Sequence, residues 1–598
     1  MKTGSFFNFS RAAGSFFKKK EVRFIISGLL GVLVFFLIFG ADSLSIFDNR
    51  LFSRGDPGAH YIGWRFFRDS DWQFHFGLMN RIDHPYSVSI IFTDSIPLAA
   101  VIFKLFRNVL PEEFNYLGLW TLLSFFLQGA AAAMILGVFA DRKEEQDNDH
   151  RDKESGGTDH DRDNDDRESP DFCNILTFVG AVFFVLTPAF VARAFWHTAL
   201  TSHFLILFSM YLFFGREEIG KKHSKPVRLF FWAVMGLLCG SVHLYFLGIC
   251  GLIAVIDSCD EWMRSDTGII SFLTPVSFGL SGLLTIWFLG AFDSGMGSGA
   301  PGFGYYSFNL NGFFNSRNWS DIFNFPYYQG DQIEGFAYLG FGMMALILLS
   351  AGIGVRRFLK IRQERNEDSS VFPAAAALFL ISVVIAVSNI ITFSDKLILA
   401  IDLGDAGFIR RLTDIFRSSG RFSWVAMYLL MIGGMAGVMV FIRELSVRKE
   451  GLSAGIMTAL VFSLLILQIT DIFPGLKNKS GEVRGTVEAD SVLDDEYWDE
   501  LAESGRFKHI VFLNKEYLLE EDLYSLAFYA IDNDMTINNF NFARAFDLNV
   551  NEIASDSASH PDPDKIYILT EEIQEDAARY PELDFQIADG IMVGVMKD

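Results

Sequence analysis

The sequence predicts an α-helical polytopic membrane protein of about eleven transmembrane helices, with a small α/β soluble domain at its C-terminus. Three observations predict it. Apolar residues make up 51% of the 598 residues, Phe alone supplies 64, and the mean hydropathy is positive at +0.27. Apolar runs of roughly 20 residues recur along the chain. Each can cross a hydrocarbon core of about 30 Å, and a soluble core would bury only one or two of them. Finally, the basic clusters fall on a single alternation of connecting loops, as the positive-inside rule requires.

The first run, Val22–Gly40, follows Lys18, Lys19 and Lys20. It is longer than the apolar region of a cleaved signal peptide and ends in no A-x-A site, so it reads as a retained signal anchor. Ile96–Phe106 is apolar but spans only about 16 Å as a helix. A span there would turn every later basic loop outward, so it reads as an interfacial or re-entrant helix. Further spans are expected near Tyr116–Phe139, Asn174–Val191, Ala199–Phe214, Leu229–Val242, Phe246–Ile256, Ile269–Phe288, Phe336–Val355, Phe372–Ile391, Ser423–Phe441 and Ala454–Phe473. The two around His243 are short, as in a broken or tilted pair.

Orientation follows from the basic clusters Lys18–Arg23, Arg142–Lys143, Lys221–Arg228, Arg356–Arg365 and Arg443–Lys449. With all of them inside, residues 1–21 are cytoplasmic, residues 22–473 form the membrane domain and residues 474–598 are extracytoplasmic. The outward loops are then 41–95, 293–335 and 392–422, with short turns at Arg193–His197 and His243.

The net charge of −22 is unevenly spread. The insert 141–171 holds 14 Asp/Glu against 6 Lys/Arg, a net of −8, and lacks apolar residues, so it is expected to be a disordered, solvated spacer. No basic surface suits nucleic acid. The four cysteines lie in or beside apolar runs, and no CxxC pair points to zinc. Walker A, HExxH and Gly-x-Ser-x-Gly patterns are absent, which removes the simplest signatures of ATP hydrolysis, zinc proteolysis and hydrolase-type acyl transfer.

After Pro474 the pattern changes. His509–Leu513 and Ile566–Leu569 read as buried strands, with an amphipathic helix at Glu520–Ile531 between them. Asp589-Gly590 separates Phe585–Ala588 from Ile591–Val595, a hairpin signal.

The first outward loop carries Gly55-Asp56-Pro57-Gly58-Ala59-His60-Tyr61, then the aromatic run Trp64–Phe67, then Ile91-Phe92-Thr93-Asp94-Ser95-Ile96-Pro97-Leu98. Asp56 sits in a tight Gly-Asp-Pro turn, where an Asp also serves simply to form the turn. Asp94 precedes a proline-led helix, where the plain alternative is an N-cap. Arg193 and His197 are four apart and share a face if helical, with His203 close behind. Charged and imidazole groups there are costly in lipid and face a cavity, or else anchor at the interface. His243 comes to the same edge. Arg417 and Arg421 flank Ser418-Ser419-Gly420, a setting for a diphosphate or an anionic headgroup. The loop 293–335 is rich in Gly, Asn and aromatics and ends at Glu334. Such aromatics suit sugar rings and equally the membrane interface.

These two first-loop segments resemble those of a bacterial polytopic membrane family related to glycosyltransferases of the GT-C fold. So do Arg193–His203, Glu334-Gly335-Phe336-Ala337-Tyr338-Leu339-Gly340 and Phe416-Arg417-Ser418-Ser419-Gly420-Arg421-Phe422. The resemblance covers most of the membrane part and leaves out the acidic insert; it is a likeness of fold, which says less about chemistry than a motif does. It implies a GT-C-like architecture in a bacterial cytoplasmic membrane and transfer of a sugar from a polyprenyl-phosphate donor to an envelope glycan, lipid or protein acceptor. A loop carboxylate takes the acceptor proton in such enzymes, which makes Asp56 the candidate base and Asp94 its rival. Arg193, His197, His203, His243, Arg417 and Arg421 are the candidates for holding the donor phosphate. His60, Tyr61, Glu334 and Tyr338 are the candidate acceptor and sugar contacts. A magnesium or manganese ion on Asp56 and Asp94 is compatible with carboxylate chemistry. The competing readings are a transporter or flippase of lipid-linked glycans, which needs charges near the midplane, and a non-catalytic envelope scaffold.

Overall fold

A computed structural model describes residues 20–141, 172–216, 219, 225–264, 268–293, 302–361, 372–404, 407, 413–448, 450–486, 493–513, 520–540, 542, 560–569 and 577–597. The acidic insert beyond Asp141 and the first nineteen residues lie outside them.

The chain is mostly helical, and the eleven apolar runs all fall on helices, one of them broken in two. The first is α1 (Lys20–Phe39). The loop after it holds α2 (Gly55–Asp69), the short ladder β1 (Leu78–Met79) and β2 (Val88–Ser89), and α3 (Pro97–Lys104). Next come α4 (Leu117–Asp141), α5 (Phe172–Val185), α6 (Pro188–Arg193), α7 (Phe204–Phe214), α8 (Lys225–Val242), α9 (Leu244–Arg264) and α10 (Leu273–Phe288). After a long loop follow α11 (Phe341–Ile361), α12 (Phe372–Val387), the hairpin β3 (Ile390–Phe393) and β4 (Lys396–Ala400), α13 (Ser423–Val447) and α14 (Gly451–Arg484). Among the described residues, six helices are long and apolar enough to cross a membrane: Lys20–Phe39, Leu117–Asp141, Lys225–Val242, Gly268–Phe288, Ser419–Val447 and Gly451–Arg484.

Small residues let these helices touch backbone to backbone, as packing in lipid favours. A Cβ on Gly31 of α1 would lie 2.1 Å from the Phe125 carbonyl oxygen of α4, and one on Gly129 of α4 would lie 2.2 Å from that of Ser27.

Four elements depart from the expectation. The run Asn174–Val191 breaks into α5 and α6, because Pro188 cannot continue a helix and starts a new one. The pair around His243 is not short. α9 runs on to Arg264 because Asp257, Asp260 and Glu261 in its last turns pair with Arg216 and Arg228: Arg216–Asp260 at 2.5 Å, Arg228–Glu261 at 2.7 Å, and Arg228–Asp257. α14 passes through Pro474 to Arg484, so the C-terminal module begins later than residue 474. Gly475 N–H turns to the Trp319 carbonyl at 3.4 Å, and Trp319 packs on Gly475 where a Cβ would clash at 2.4 Å. Finally, the Gly-Asp-Pro segment is not a loop turn but the first turn of α2, where an acid favours the helix dipole and proline is tolerated. The segment 96–106 forms only α3, eight residues, too short to cross a membrane.

The C-terminal module comprises α15 (Glu496–Glu503), β5 (His509–Phe512), α16 (Glu520–Asp532), β6 (Thr536–Ile537), β7 (Lys565–Leu569), β8 (Leu583–Ala588) and β9 (Ile591–Met596). Its sheet has the order β6-β5-β7-β9-β8, with β5 parallel to both β6 and β7 and the β8–β9 hairpin antiparallel. Asp589 and Gly590 both have positive φ (49° and 79°), the two-residue turn that Asp-Gly favours.

This module seats on the first loop. α16 packs on α2, with Phe528 6.1 Å from the Tyr61 ring, and Gly58 leaves room for Tyr524 where a Cβ would sit 2.9 Å from its ring. The Ile537 amide donates to the Arg81 carbonyl at 2.9 Å, and Arg81 pairs with Asp534 at 2.5 Å. The rings of His84 and His509 stack at 4.5 Å.

Candidate functional site

The helices alternate in direction, so the ends of α1, α6, α8 and α12 meet the starts of α4, α7, α9, α11 and α13 at one end of the bundle. That loop-rich end holds a polar pocket of about 210 Å³. Its walls come from α2 (Asp56, His60), the turn Thr93–Asp94, His197, the start of α9 (His243, Tyr245) and the segment before α13 (Asp414, Arg417, Ser418, Arg421), with Phe542 from the C-terminal module.

The first wall is Asp56. Its Oδ2 accepts from the Trp196 indole N–H at 2.7 Å and lies 3.3 Å from His197 Nε2. Burial raises the Asp56 carboxyl above its usual range even though the indole favours the charged form, and the nearby Glu334 charge raises it further. Burial also pushes His197 well below the ordinary imidazole value, against the pull of Glu334. The ring is therefore neutral near pH 7, and it faces carboxylates as a hydrogen-bonding group rather than as a cation. Burial sends His60 down to about 3.

The second wall is the Thr93–Pro97 turn. Asp94 and Ile96 have φ of 53° and 52°, a left-handed conformation that a β-branched residue rarely takes. Such strain persists only when its surroundings hold it. Here Ser95 Oγ donates to the His60 carbonyl at 2.7 Å, and Tyr116 hydroxyl donates to the Ser95 carbonyl. Gly63 lets α2 come this close, since a Cβ there would meet Thr93 at 2.5 Å. The N-cap of α3 is Ile96, so Asp94 does not cap it. Asp94 Oδ1 instead lies 3.4 Å from His243 Nε2. His243 Nδ1 accepts the Tyr245 amide at 3.2 Å, which leaves the ring hydrogen on Nε2 in the neutral form, facing Asp94.

The third wall is cationic. The Arg421 guanidinium lies 4.3 Å over the Tyr245 ring, and Arg417 lies 5.5 Å over that of Tyr306. The Tyr245 hydroxyl accepts the Ser418 amide at 2.8 Å. Beneath sits Glu334, which bonds Arg421 Nε at 2.7 Å and Arg193 Nη1 at 3.2 Å and lies 3.7 Å from His197. Two glycines set this contact. A Cβ on Gly420 would lie 2.7 Å from both the Gly335 Cα and the Tyr306 carbonyl. Gly420→Ala is therefore expected to push the two segments apart at a cost of about 1–3 kcal/mol. A lowered melting temperature of the purified protein checks this, with Gly433→Ala in α13, where a Cβ meets nothing within 4 Å, as the control whose melting temperature should not fall.

Of the residues singled out in the sequence, Asp56, His60, Asp94, His197, His243, Arg417 and Arg421 line this one pocket. Others do not reach it as expected. Arg193 and His197 share no helix face, because α6 stops at Arg193 and Phe195 has positive φ; Glu334 brings them together instead. Glu334 is buried as the counter-ion of two guanidiniums and lies outside the residues that line the pocket. Tyr61 points into the C-terminal module. Tyr338 hydroxyl donates to Asp471 at 2.7 Å in the core. His203 is buried in the bundle, with Nδ1 2.8 Å from the Tyr428 hydroxyl, and lines no part of the pocket. Sequence reasoning passed over Trp196 and Tyr245. Trp196 adjoins His197 and Tyr245 lies two residues after His243, and that nearness to a selected histidine was the one signal the sequence offered. Among the described residues, no group of three or more His, Cys, Asp or Glu is placed to hold a metal ion.

A family model described as a domain of unknown function (DUF6311) matches residues 28–473, and one described as the DUF6311 C-terminal domain matches residues 497–596. No curated protein matches the chain.

Proposed function

The chain belongs to the DUF6311 family, and on the geometry of its pocket we propose that it is a membrane glycosyltransferase of GT-C type, moving a sugar from a polyprenyl-phosphate donor to an envelope acceptor on the outer face of a bacterial cytoplasmic membrane. In this reading all eleven apolar helices span the bilayer, the N-terminus is cytoplasmic and the C-terminal module is extracytoplasmic.

One observation carries the reading: a half-exposed carboxylate of raised proton affinity, Asp56, and two guanidiniums, Arg417 and Arg421, face one small pocket at the helix ends. The chemistry needs both. Asp56 takes the proton of an acceptor hydroxyl as its oxygen attacks the anomeric carbon. The bond from that carbon to the phosphate oxygen breaks, and its electron pair leaves with the phosphate. Arg417, Arg421 and the Nε2–H of His243 lie where they would meet the growing charge. The attack inverts the anomeric centre. Asp56 and Asp94 carry the oxygens that magnesium or manganese takes. Each already faces an imidazole, so no step is routed through a metal.

A flippase needs charges near the midplane. Arg23, Asp141 and Arg228 lie towards the ends of their helices, and Asp471, within α14, is taken up by Ser320, Tyr338 and the Phe341 amide, which favours the enzyme.

The test is reconstitution of the purified protein in liposomes with labelled polyprenyl-phosphate sugars and envelope glycan acceptors, with and without a chelator. Label appearing on the acceptor supports the reading. Label that only changes leaflet, with no acceptor product from any donor, replaces it with the flippase. A rate unchanged by chelator removes the metal.

A further inference from the structure

The hairpin β3–β4 begins three residues after the end of α12. β3 is pinned inward: the Thr392 hydroxyl accepts from Gln332 Nε2 at 2.8 Å, and the Thr392 carbonyl accepts the Leu310 amide at 3.0 Å. β4 stands away from the protein, and all five of its residues are exposed. Leu397, Ile398 and Leu399 are consecutive and 45%, 59% and 49% exposed, with Phe393 at 51% and Ile401 at 45%. A hairpin facing water on one side alternates polar and apolar residues. This one is apolar without alternation, and an exposed patch of this kind marks an interaction surface.

We propose that the β3–β4 hairpin is a membrane anchor, immersed in the lipid interface beside the pocket. Three observations select lipid over a protein partner. The apolar surface continues that of α12, where Leu380 and Val384 are 61% and 71% exposed on a helix of purely apolar and small residues. A protein seated on one face would leave the remaining side chains in water, whereas lipid surrounds the whole strand. Pairing with a second copy along the edge is hindered by a bulge, since Ile391 pairs with Leu399 and Thr392 with Leu397, leaving Ile398 unpartnered, and by Lys396 at the strand's start. The depth follows too. Among the described residues no third strand joins β4, so its outward amides and carbonyls need partners. The hydrocarbon core has none, but headgroups and interfacial water do.

The inference stands independently of the proposed reaction, and so does its test. Spin labels are placed at Ile398→Cys, Leu399→Cys, Leu348→Cys (72% exposed on α11, the lipid reference) and Ile587→Cys (54% exposed on β8, the water reference). Cys173 and Cys259 are changed to Ser, and the buried Cys239 and Cys250 stay. An unchanged melting temperature confirms that each labelled protein is folded. In liposomes, both hairpin labels should be relaxed by oxygen and shielded several-fold from a water-soluble nickel chelate, as at Leu348. Relaxation by nickel equal to that at Ile587 would put the hairpin in water and overturn the proposal. Shielding from both agents would overturn it in favour of a protein partner such as a second copy.

Discussion

Glu334→Gln is expected to destabilise the fold by about 3–5 kcal/mol, the effect of removing one partner from a buried ion pair. The substitution keeps the side chain's size and removes its charge. Arg193 and Arg421, both almost fully buried, then have no counter-ion between them, and the desolvation of two guanidiniums is no longer offset. A large fall in melting temperature, or loss of folded protein on purification, is the expected result; a variant that melts like the parent would mean that water reaches the network. The pH dependence gives a second reading. Burial alone would favour the neutral acid, but Arg193 and Arg421 outweigh it and hold the Glu334 carboxyl well below 4.5. Its folded value is thus depressed relative to the unfolded chain. Its contribution is complete above the ordinary carboxylate range and is lost as the pH falls below that range towards the depressed value. The parent should lose stability through that acid window, and Glu334→Gln should lose less there.

Asp56→Asn is expected to lower sugar transfer by about 10²- to 10⁴-fold, the usual contribution of a positioned general base. This corresponds to about 3–5 kcal/mol of barrier. The amide oxygen of Asn can still accept the Trp196 indole hydrogen, so the local geometry persists and the change isolates proton acceptance. The raised proton affinity of Asp56 means that folding gains nothing from its charge at neutral pH, so the melting temperature should not fall. In the parent the rate should rise with pH as Asp56 ionises, with an acid limb above the usual carboxylate value of 3.8. Transfer that survives in Asp56→Asn but is lost in Asp94→Asn would move the base to the second wall.

What the sequence made legible was the order of the apolar helices along the chain and the end of the bundle at which the polar groups gather. Alternating apolar runs send every second loop to one side, so Asp56, Asp94, His197, His243, Arg417 and Arg421 meet without any one of them naming its partner. The partners were illegible because tertiary packing alone sets them. Arg193 and Glu334 are 141 residues apart, and the approach that joins Glu334 to Arg421 depends on two glycines in different loops. Tyr61 and Tyr338 lie away from the pocket for a related reason. Beside a motif a tyrosine reads as a ligand contact, but Tyr61 packs on Phe528 and Tyr338 donates to Asp471, each from a distant segment. The end of α9 was missed because hydropathy penalises Asp257, Asp260 and Glu261 without seeing the arginines that neutralise them.

The buried trio of Arg193, Glu334 and Arg421 also sets a timetable. Its members emerge from the ribosome in that order, well apart, and the wall of the pocket that depends on Arg421 has no counterpart earlier in the chain. Nascent protein inserted as far as α12 has the carboxylates of the first loop but lacks the cations opposite them. The face of α2 that carries Tyr61 stays uncovered until α16 follows. The pocket is thus incomplete until Arg421 and then Phe542 of the C-terminal module have been made, and under the proposed reaction a chain that stalls earlier would be left inert rather than half active.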